Sequence, residues 1–475
     1  MNACCAAADG HKSYDLAVIG AGSAGFAAAI TAAEQGAQVA LIGHGTIGGT
    51  CVNIGCVPSK NLIRATETLH QAKAAARFFG IRAEGRIEDW QAVVRQKNDL
   101  VSSLRQSKYF DLLPHYNTIA YREGRARLAA GGVAVNGNLL KAGKVIIATG
   151  ASPALPPIPG IDGVPCLTST TALELQHLPQ SLLVIGGGYI GCELGQMFAR
   201  AGVKVTIVDL VPILSAGEPE VSKALAGYFR AEGIVLHENV RPQAIRKTGR
   251  GIALDIRDGG KEDTLEAEMV LVAAGRRPNT EGLGLAEAGV AQLPNGAIKV
   301  DAHMQTTRPG VYAAGDVTGR DPFVYMAAYA AKIAANNALN GDSLRYDNHA
   351  MPSVVFTDPQ VASVGLTEAA ARAAGYQAKV SVLSLDQVPR ALAARDTRGL
   401  IKLVADGQTR KLLGAHILAP EGADSIQTAV LALRQGLTID DLADTIFPYL
   451  TTVEGLKLAA LSFDKNVAKL SCCAG

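Results

Sequence analysis

Two segments of this chain carry the same glycine spacing on the same apolar frame, and that repetition limits the fold more than any other feature. DLAVIGAGSAG at residues 15–25 and SLLVIGGGYIG at residues 181–191 each read as a buried strand turning into a helix. Gly20, Gly22 and Gly25 form one G-x-G-x-x-G pattern, and Gly186, Gly188 and Gly191 form the other. The glycines permit a tight turn and let backbone N–H groups close on a pyrophosphate at the positive end of the helix. Ser23 and Ala24 open the first helix and Tyr189 and Ile190 the second, so they border the same phosphates. One copy alone is weak, because Gly-rich turns also serve packing. The second strands decide it. VALI at 39–42 ends at Gly43 and VKVTIV at 203–208 ends at Asp209, so Gly43 stands to Gly20 as Asp209 stands to Gly186. Two βαβ units share one register, and two dinucleotides are expected.

The residue at that strand end normally grips the adenosine ribose with a carboxylate. Asp209 suits the role and would repel the additional phosphate of NADPH. No Arg follows between Leu210 and Glu220 to clamp that phosphate, so the second unit is expected to prefer NADH. Gly43 leaves the first unit without its acid, at a cost on the order of 1–3 kcal/mol in affinity. Gly43→Glu is therefore expected to tighten cofactor binding there.

A chain of 475 residues exceeds one ordinary core, so two to four domains are expected. A formal net charge of +2 gives no reason to expect nucleic acid or a membrane as partner. Met1 to Gly10 lacks the apolar core of a signal peptide, and no stretch reaches the length of a membrane helix. A cytoplasmic protein is expected. Eight cysteines in such a chain are too few for a disulfide-stapled secreted fold, and in a reducing compartment paired cysteines point to catalysis or metal binding. Cys166 and Cys192 are isolated and read as buried small apolar residues.

The informative pair lies in GGTCVNIGCVPSK at residues 48–60. Cys51 and Cys56 are close enough in sequence for a disulfide at a helix start, where the helix N-terminus favours the thiolate. This segment resembles the redox site of the pyridine nucleotide-disulfide oxidoreductase family, and the resemblance extends over nearly the whole chain. Ala148-Thr149-Gly150 is similar to that family's crossover out of the FAD domain, and Ala274–Asn279, with Gly275 and Arg277, to the return crossover. VYAAGD at 311–316, ending in Gly315 and Asp316, resembles the second FAD motif, whose Asp binds the ribityl chain. VFTDPQVASVG at 355–365 resembles the dimerisation domain. The resemblance implies FAD in the first unit, contacted also by Gly49, Thr50, Lys60 and Ala126, and NADPH or NADH in the second. It implies that Cys56 lies against the flavin and Cys51 is the exposed interchange thiol. Lys60 and Glu193 would form an ion pair near the flavin N5, or a purely structural salt bridge. Tyr189 would gate the nicotinamide, or simply pack.

Disulfide-reducing members carry H-P-x-x-x-E, whose His moves a proton to and from the interchange thiol. Here the run is FPYLTTVE at 447–454, and Tyr449 stands in the place of His. A phenol with an unperturbed pKa near 10 is a poor base at neutral pH. The chain then ends in Cys472 and Cys473. Neighbouring Cα atoms, about 3.8 Å apart, are too close for ordinary disulfide geometry, but the two thiolates suit one soft ion. These features resemble the members of the family that reduce Hg(II). The implied ligands are Cys51, Cys56, Cys472 and Cys473, the implied substrate an Hg(II)–thiol complex, and the implied assembly a homodimer in which one subunit's tail serves the other's site. Tyr449 joins Cys51, Cys56, Lys60, Tyr189 and Glu193 in the expected catalytic set.

The expected architecture is α/β: two Rossmann-like dinucleotide-binding domains, for FAD and NAD(P), and a C-terminal α+β dimerisation domain. Residues 1–13 would be a disordered lead-in. The FAD domain would span 14–150 and 276–345, the NAD(P) domain 151–275, and the interface domain with its Cys-Cys tail 346–475. No metal-binding module with C-x-x-C is expected ahead of Tyr14. Cys4 and Cys5 read as accidental, with a second metal-collecting pair as the alternative. A lipoamide- or glutathione-type disulfide reductase is the competing activity, although it must dispense with the His and leaves Cys472 and Cys473 without a role. A metal-sequestering protein would need neither dinucleotide motif.

Overall fold

The computed structural model describes residues 13–469, so Cys4, Cys5, Cys472 and Cys473 lie outside the described residues. The described chain divides into two compact units. One comprises the described residues up to Pro58, Arg95–Ala154 and Arg276–Asp347; the other comprises Ser59–Val94, Leu155–Gly275 and the described residues from Asn348 onward. The expected α/β class holds, with one sheet of parallel strands extended by an antiparallel edge, one parallel sheet and a C-terminal antiparallel sheet.

In the first unit the strand Tyr14–Ile19 runs parallel to Val39–Gly43 on one side and Asn138–Ile147 on the other. Leu16, Ala17 and Val18 are wholly buried, as a parallel strand covered on both faces requires, which explains the continuous apolar run. Ile119–Glu123 extends the sheet beyond Val39–Gly43, and Val311–Ala313 adds to Asn138–Ile147, both in parallel. The helix Ser23–Ala33 buries Ala24, Ala28, Ala29 and Ala32, and packs on Val324–Asn340, which buries Ala327, Ala330, Ala331, Ala334 and Ala335. Methyl-sized side chains on both faces let the two backbones come close.

In the second unit Ser181–Ile185, Lys204–Val208 and Val235–His237 run parallel, with Met269–Val272 and Cys166–Leu167 on the other side. The C-terminal sheet, ordered Pro352–Val355, Gln360–Gly365, Leu412–Ala419, Leu400–Asp406 and Ala378–Ser384, is antiparallel. Two buried charge clusters join its elements to the nucleotide-binding part. Arg200 meets both oxygens of Glu232 at 2.7 and 2.8 Å and Asp358 at 2.9 Å. Lys402, 1% exposed, donates to Glu218, Glu220 and Glu368 at 2.8, 2.9 and 2.9 Å. Such charges are tolerated because each is paired and hydrogen-bonded. Nothing in the sequence pattern announced either cluster.

Cys192 is fully buried, as expected, and its thiol donates to the Gly187 carbonyl at 3.2 Å. Cys166 is only half-buried, because it sits on the two-residue edge strand of its sheet. Burial pushes both thiols above their usual pKa, with nearby carboxylates adding to the effect. No helix among the described residues is long and apolar enough to cross a membrane.

Candidate nucleotide and thiol sites

Both Gly-rich turns fold for the same local reason. A Cβ on Gly25 would lie 1.7 Å from the Gly20 carbonyl oxygen, and one on Gly191 would lie 1.8 Å from that of Gly186. The helices that follow begin at Gly22 and Gly188, and neither N-cap offers a side-chain hydrogen bond or an acid in its first turn. The exposed helix N–H groups and the positive end of the dipole are left for an anion. A cradle that any Cβ would fill, ahead of an uncapped helix, fits the pyrophosphate of a dinucleotide in each unit.

Around the first turn, Gly49 approaches Gly22 so closely that a Cβ on Gly49 would sit 2.6 Å from the Gly22 Cα. Gly49 and Thr50 open the six-residue helix Gly49–Ile54, which carries Cys51; Cys56 begins the helix Cys56–Ala74. Asn53, between the cysteines, laces this segment: its amide donates to the Ile47 and Gly49 carbonyls, both at 2.8 Å, and its oxygen accepts from Arg105 at 3.1 Å. Tyr109 stacks edge-on against Phe26 at 4.9 Å and faces Ser23, Cys51 and Cys56. Burial raises its pKa and the two thiols add to this, outweighing the Ser23 hydrogen bond, so the phenol stays protonated. Sequence reasoning passed over Asn53, Arg105 and Tyr109. Only Asn53 offered a signal, by lying inside the cysteine pair.

The two crossovers meet within the first unit. Thr149 Oγ1 donates to the Asn279 carbonyl at 2.7 Å, and Asn279 Nδ2 donates to that of Thr149 at 2.9 Å. This places Gly150 beside the short antiparallel pairing of Ala151–Pro153 with Arg276–Pro278. The structure differs from the sequence reading at Arg277, which points to solvent and pairs with Glu281 at 2.9 Å. Its neighbour Arg276 turns inward, with Nε 3.8 Å from Asp316, because successive strand residues face opposite sides. Burial raises the Asp316 pKa against the opposing effect of Arg276. Gly315 lies over Ala24, where its Cβ would be 3.3 Å away, so the second motif abuts the first Gly-rich helix. Ala126 begins a strand at the far edge of this sheet.

In the second unit Asp209 follows its strand and accepts hydrogen bonds from Gly187 N–H at 2.5 Å and Val211 N–H at 3.2 Å. The carboxylate is thereby aimed at the Gly-rich turn. Gly275 follows the central part of this unit with φ +132° and open space around it. Tyr189, the first residue of its helix, is 38% exposed beside Ile190. One turn further, Glu193 is buried; its Oε2 lies 2.6 Å from Lys60 Nζ and its Oε1 accepts from Phe356 N–H at 2.9 Å. Lys60 also sits 4.8 Å above the Phe356 ring. The Lys60–Glu193 ion pair implied by the resemblance is thus present. Tyr449 is exposed in a turn, while Glu454 is buried and its Oε2 accepts from Leu450 N–H at 3.1 Å.

The Gly43 expectation is corrected. A Cβ at Gly43 would lie 2.5 Å from the Tyr121 hydroxyl and 2.9 Å from Ala21 Cβ. Gly43→Glu therefore cannot simply add the missing acid, because the phenol of the neighbouring strand fills that volume.

Residues 14–334 match the family described as pyridine nucleotide-disulphide oxidoreductase, and residues 351–460 match its dimerisation domain. The chain is 47% identical over 463 residues to a mercuric reductase of Staphylococcus aureus, covering 97% of this chain and 84% of that one. It is 46% identical over 474 residues to a mercuric reductase of Streptomyces lividans, covering 98% and 99%. Among solved structures, the Cu(II) complex of the HOCl-induced flavoprotein disulfide reductase RclA from Escherichia coli superposes with a TM-score of 0.84 at 31% identity, covering 96% of this chain and 100% of that one.

Proposed function

This chain belongs to the pyridine nucleotide-disulphide oxidoreductase family, and within it we infer that the protein reduces Hg(II) to Hg(0) with electrons from NAD(P)H. The near full-length identity to mercuric reductases carries this reading. The enzyme is an FAD-dependent oxidoreductase and a homodimer. NAD(P)H is oxidised to NAD(P)⁺ with release of one proton, and Hg(II) takes both electrons. FAD, when bound, supplies the two-electron link between nicotinamide and metal.

The chain's own part is capture and orientation. Cys51 and Cys56 take Hg(II) from its thiol complex by exchange, each new S–Hg bond replacing one that breaks, so no free ion is released. Lys60, one turn after Cys56, and Glu193 hold paired charge on the segment that follows the thiols. Tyr109 and Asn53 fix the thiol loop. Tyr189 covers the nicotinamide approach. Tyr449 replaces a proton carrier that metal reduction does not need. A cytoplasmic setting, where thiols stay reduced, suits this chemistry.

We also propose that Cys472 and Cys473, outside the described residues, pass Hg(II) to the Cys51–Cys56 pair of the other subunit. Replacing both by alanine is expected to lower kcat/KM for thiol-complexed Hg(II) by about tenfold to a hundredfold, through loss of local capture. Full activity at low substrate would reject the relay.

The deciding experiment follows NADH and NADPH oxidation with Hg(II) and excess thiol while mercury vapour is collected. Vapour in step with oxidation supports the reading; bound FAD with no vapour would point to a disulfide substrate. Because Asp209 faces the turn, kcat/KM is expected to favour NADH by about tenfold, the effect of roughly 1.4 kcal/mol of repulsion. Equal values, or a preference for NADPH, would overturn the role assigned to Asp209.

A further inference from the structure

The strand-end position of the first unit is Gly43 rather than an acid, yet the space is filled. Val39–Gly43 and Ile119–Glu123 run side by side in parallel, with Leu41 opposite Tyr121 and Gly43 opposite Glu123. From two residues back, the Tyr121 ring leans over Gly43: an added Cβ would meet the hydroxyl at 2.5 Å and Cε2 at 2.9 Å. The same Cβ would meet Ala21, which lies inside the Gly20-Ala21-Gly22 turn. The phenolic oxygen and the phosphate turn therefore both border the space a side chain at position 43 would enter. Asp209 holds the equivalent place in the second unit, where its carboxylate accepts from Gly187 N–H, the residue corresponding to Ala21. Tyr121 is half-buried.

We propose that the Tyr121 hydroxyl takes over, from the absent strand-end acid, the recognition of the adenosine ribose diol of FAD. A phenol accepts a hydrogen bond from one ribose hydroxyl and donates to the other, whereas a carboxylate can only accept from both. Burial, with the charge of Glu123 adding to it, raises the Tyr121 pKa and keeps the hydroxyl neutral and able to donate. A side chain at position 43 and a phenol at position 121 compete for the same volume, so the strand end can carry an acid or be covered by the tyrosine, but not both. This deepens the reading of the first unit as the FAD site and rests on it.

The test uses holoenzyme diluted in series, with released flavin followed by its fluorescence. Tyr121→Phe keeps the ring and removes the hydroxyl, and its FAD Kd is expected to rise about thirtyfold, the usual effect of losing two neutral hydrogen bonds. Restoring the acid as Gly43→Glu with Tyr121→Val is expected to bind FAD at least as tightly as the wild type. Gly43→Glu alone should release FAD more readily, because the introduced side chain collides with the Tyr121 ring. A Tyr121→Phe Kd equal to the wild-type value would overturn the proposal and leave Tyr121 as packing. Wild-type protein that carries no FAD would instead sink the reading of the unit itself.

Discussion

Cys56→Ala is expected to lower Hg(II)-dependent NAD(P)H oxidation by on the order of 10³-fold or more, as loss of a residue that bonds the substrate directly does. On the proposed capture step Hg(II) arrives bound to two thiols, and exchange onto Cys51 and Cys56 replaces both. With one thiol gone, a carrier thiol stays on the metal and the ion is held at one end only. The fold should survive: Cys56 is half-buried at the start of a 19-residue helix whose packing comes from further along, as at the wholly buried Leu62. FAD content and Tm close to wild type, with activity nearly abolished, is therefore the expected result. Activity within tenfold of wild type, at saturating thiol, would mean that Cys56 does not hold the metal. Cys51→Ala should behave similarly in turnover, since both S–Hg bonds are needed.

Lys60→Met is expected to destabilise the protein by about 3 kcal/mol, the lower end of the cost of breaking a buried ion pair, because the Lys60 side chain keeps 32% of its exposure. Methionine preserves the length and most of the packing of the stem, so the loss is electrostatic. Glu193, 7% exposed at its side chain, would keep only the Phe356 N–H among these partners. Glu193→Gln should cost less, because the amide can still accept from Phe356 and the remaining Lys60 reaches water. Denaturant unfolding of the two variants in parallel measures the difference. Equal stability of Lys60→Met and wild type would show that the pair contributes little and that its place in the site is the only reason for it.

The two nucleotide-binding units were legible because their signal is local and repeated. A close turn demands glycine at Gly20 and Gly186, close packing demands it at Gly25 and Gly191, and a fully covered strand demands an apolar run. The cysteine pair was legible because its chemistry is carried by residue type at fixed spacing. Arg276 was not separable from Arg277, since two adjacent arginines differ only in the face each presents once the strand has paired. Tyr109 lies far along the chain from the cysteines it faces, with no spacing rule to connect them.

The sequence by itself determined the α/β class and the two dinucleotide cofactors, and it carries the Cys51–Cys56 spacing and Tyr449 on which the proposed chemistry rests, because each depends on short-range pattern or on the identity of one residue. Only the tertiary structure decided which other groups meet: Lys402 with its three carboxylates, Arg200 with Glu232 and Asp358, and Tyr121 with Gly43. Those pairings are set by strand register and helix packing between segments distant in sequence. The Gly43 position shows the consequence. Read along the chain it is a missing acid; read across the sheet it is room that a neighbouring phenol already fills.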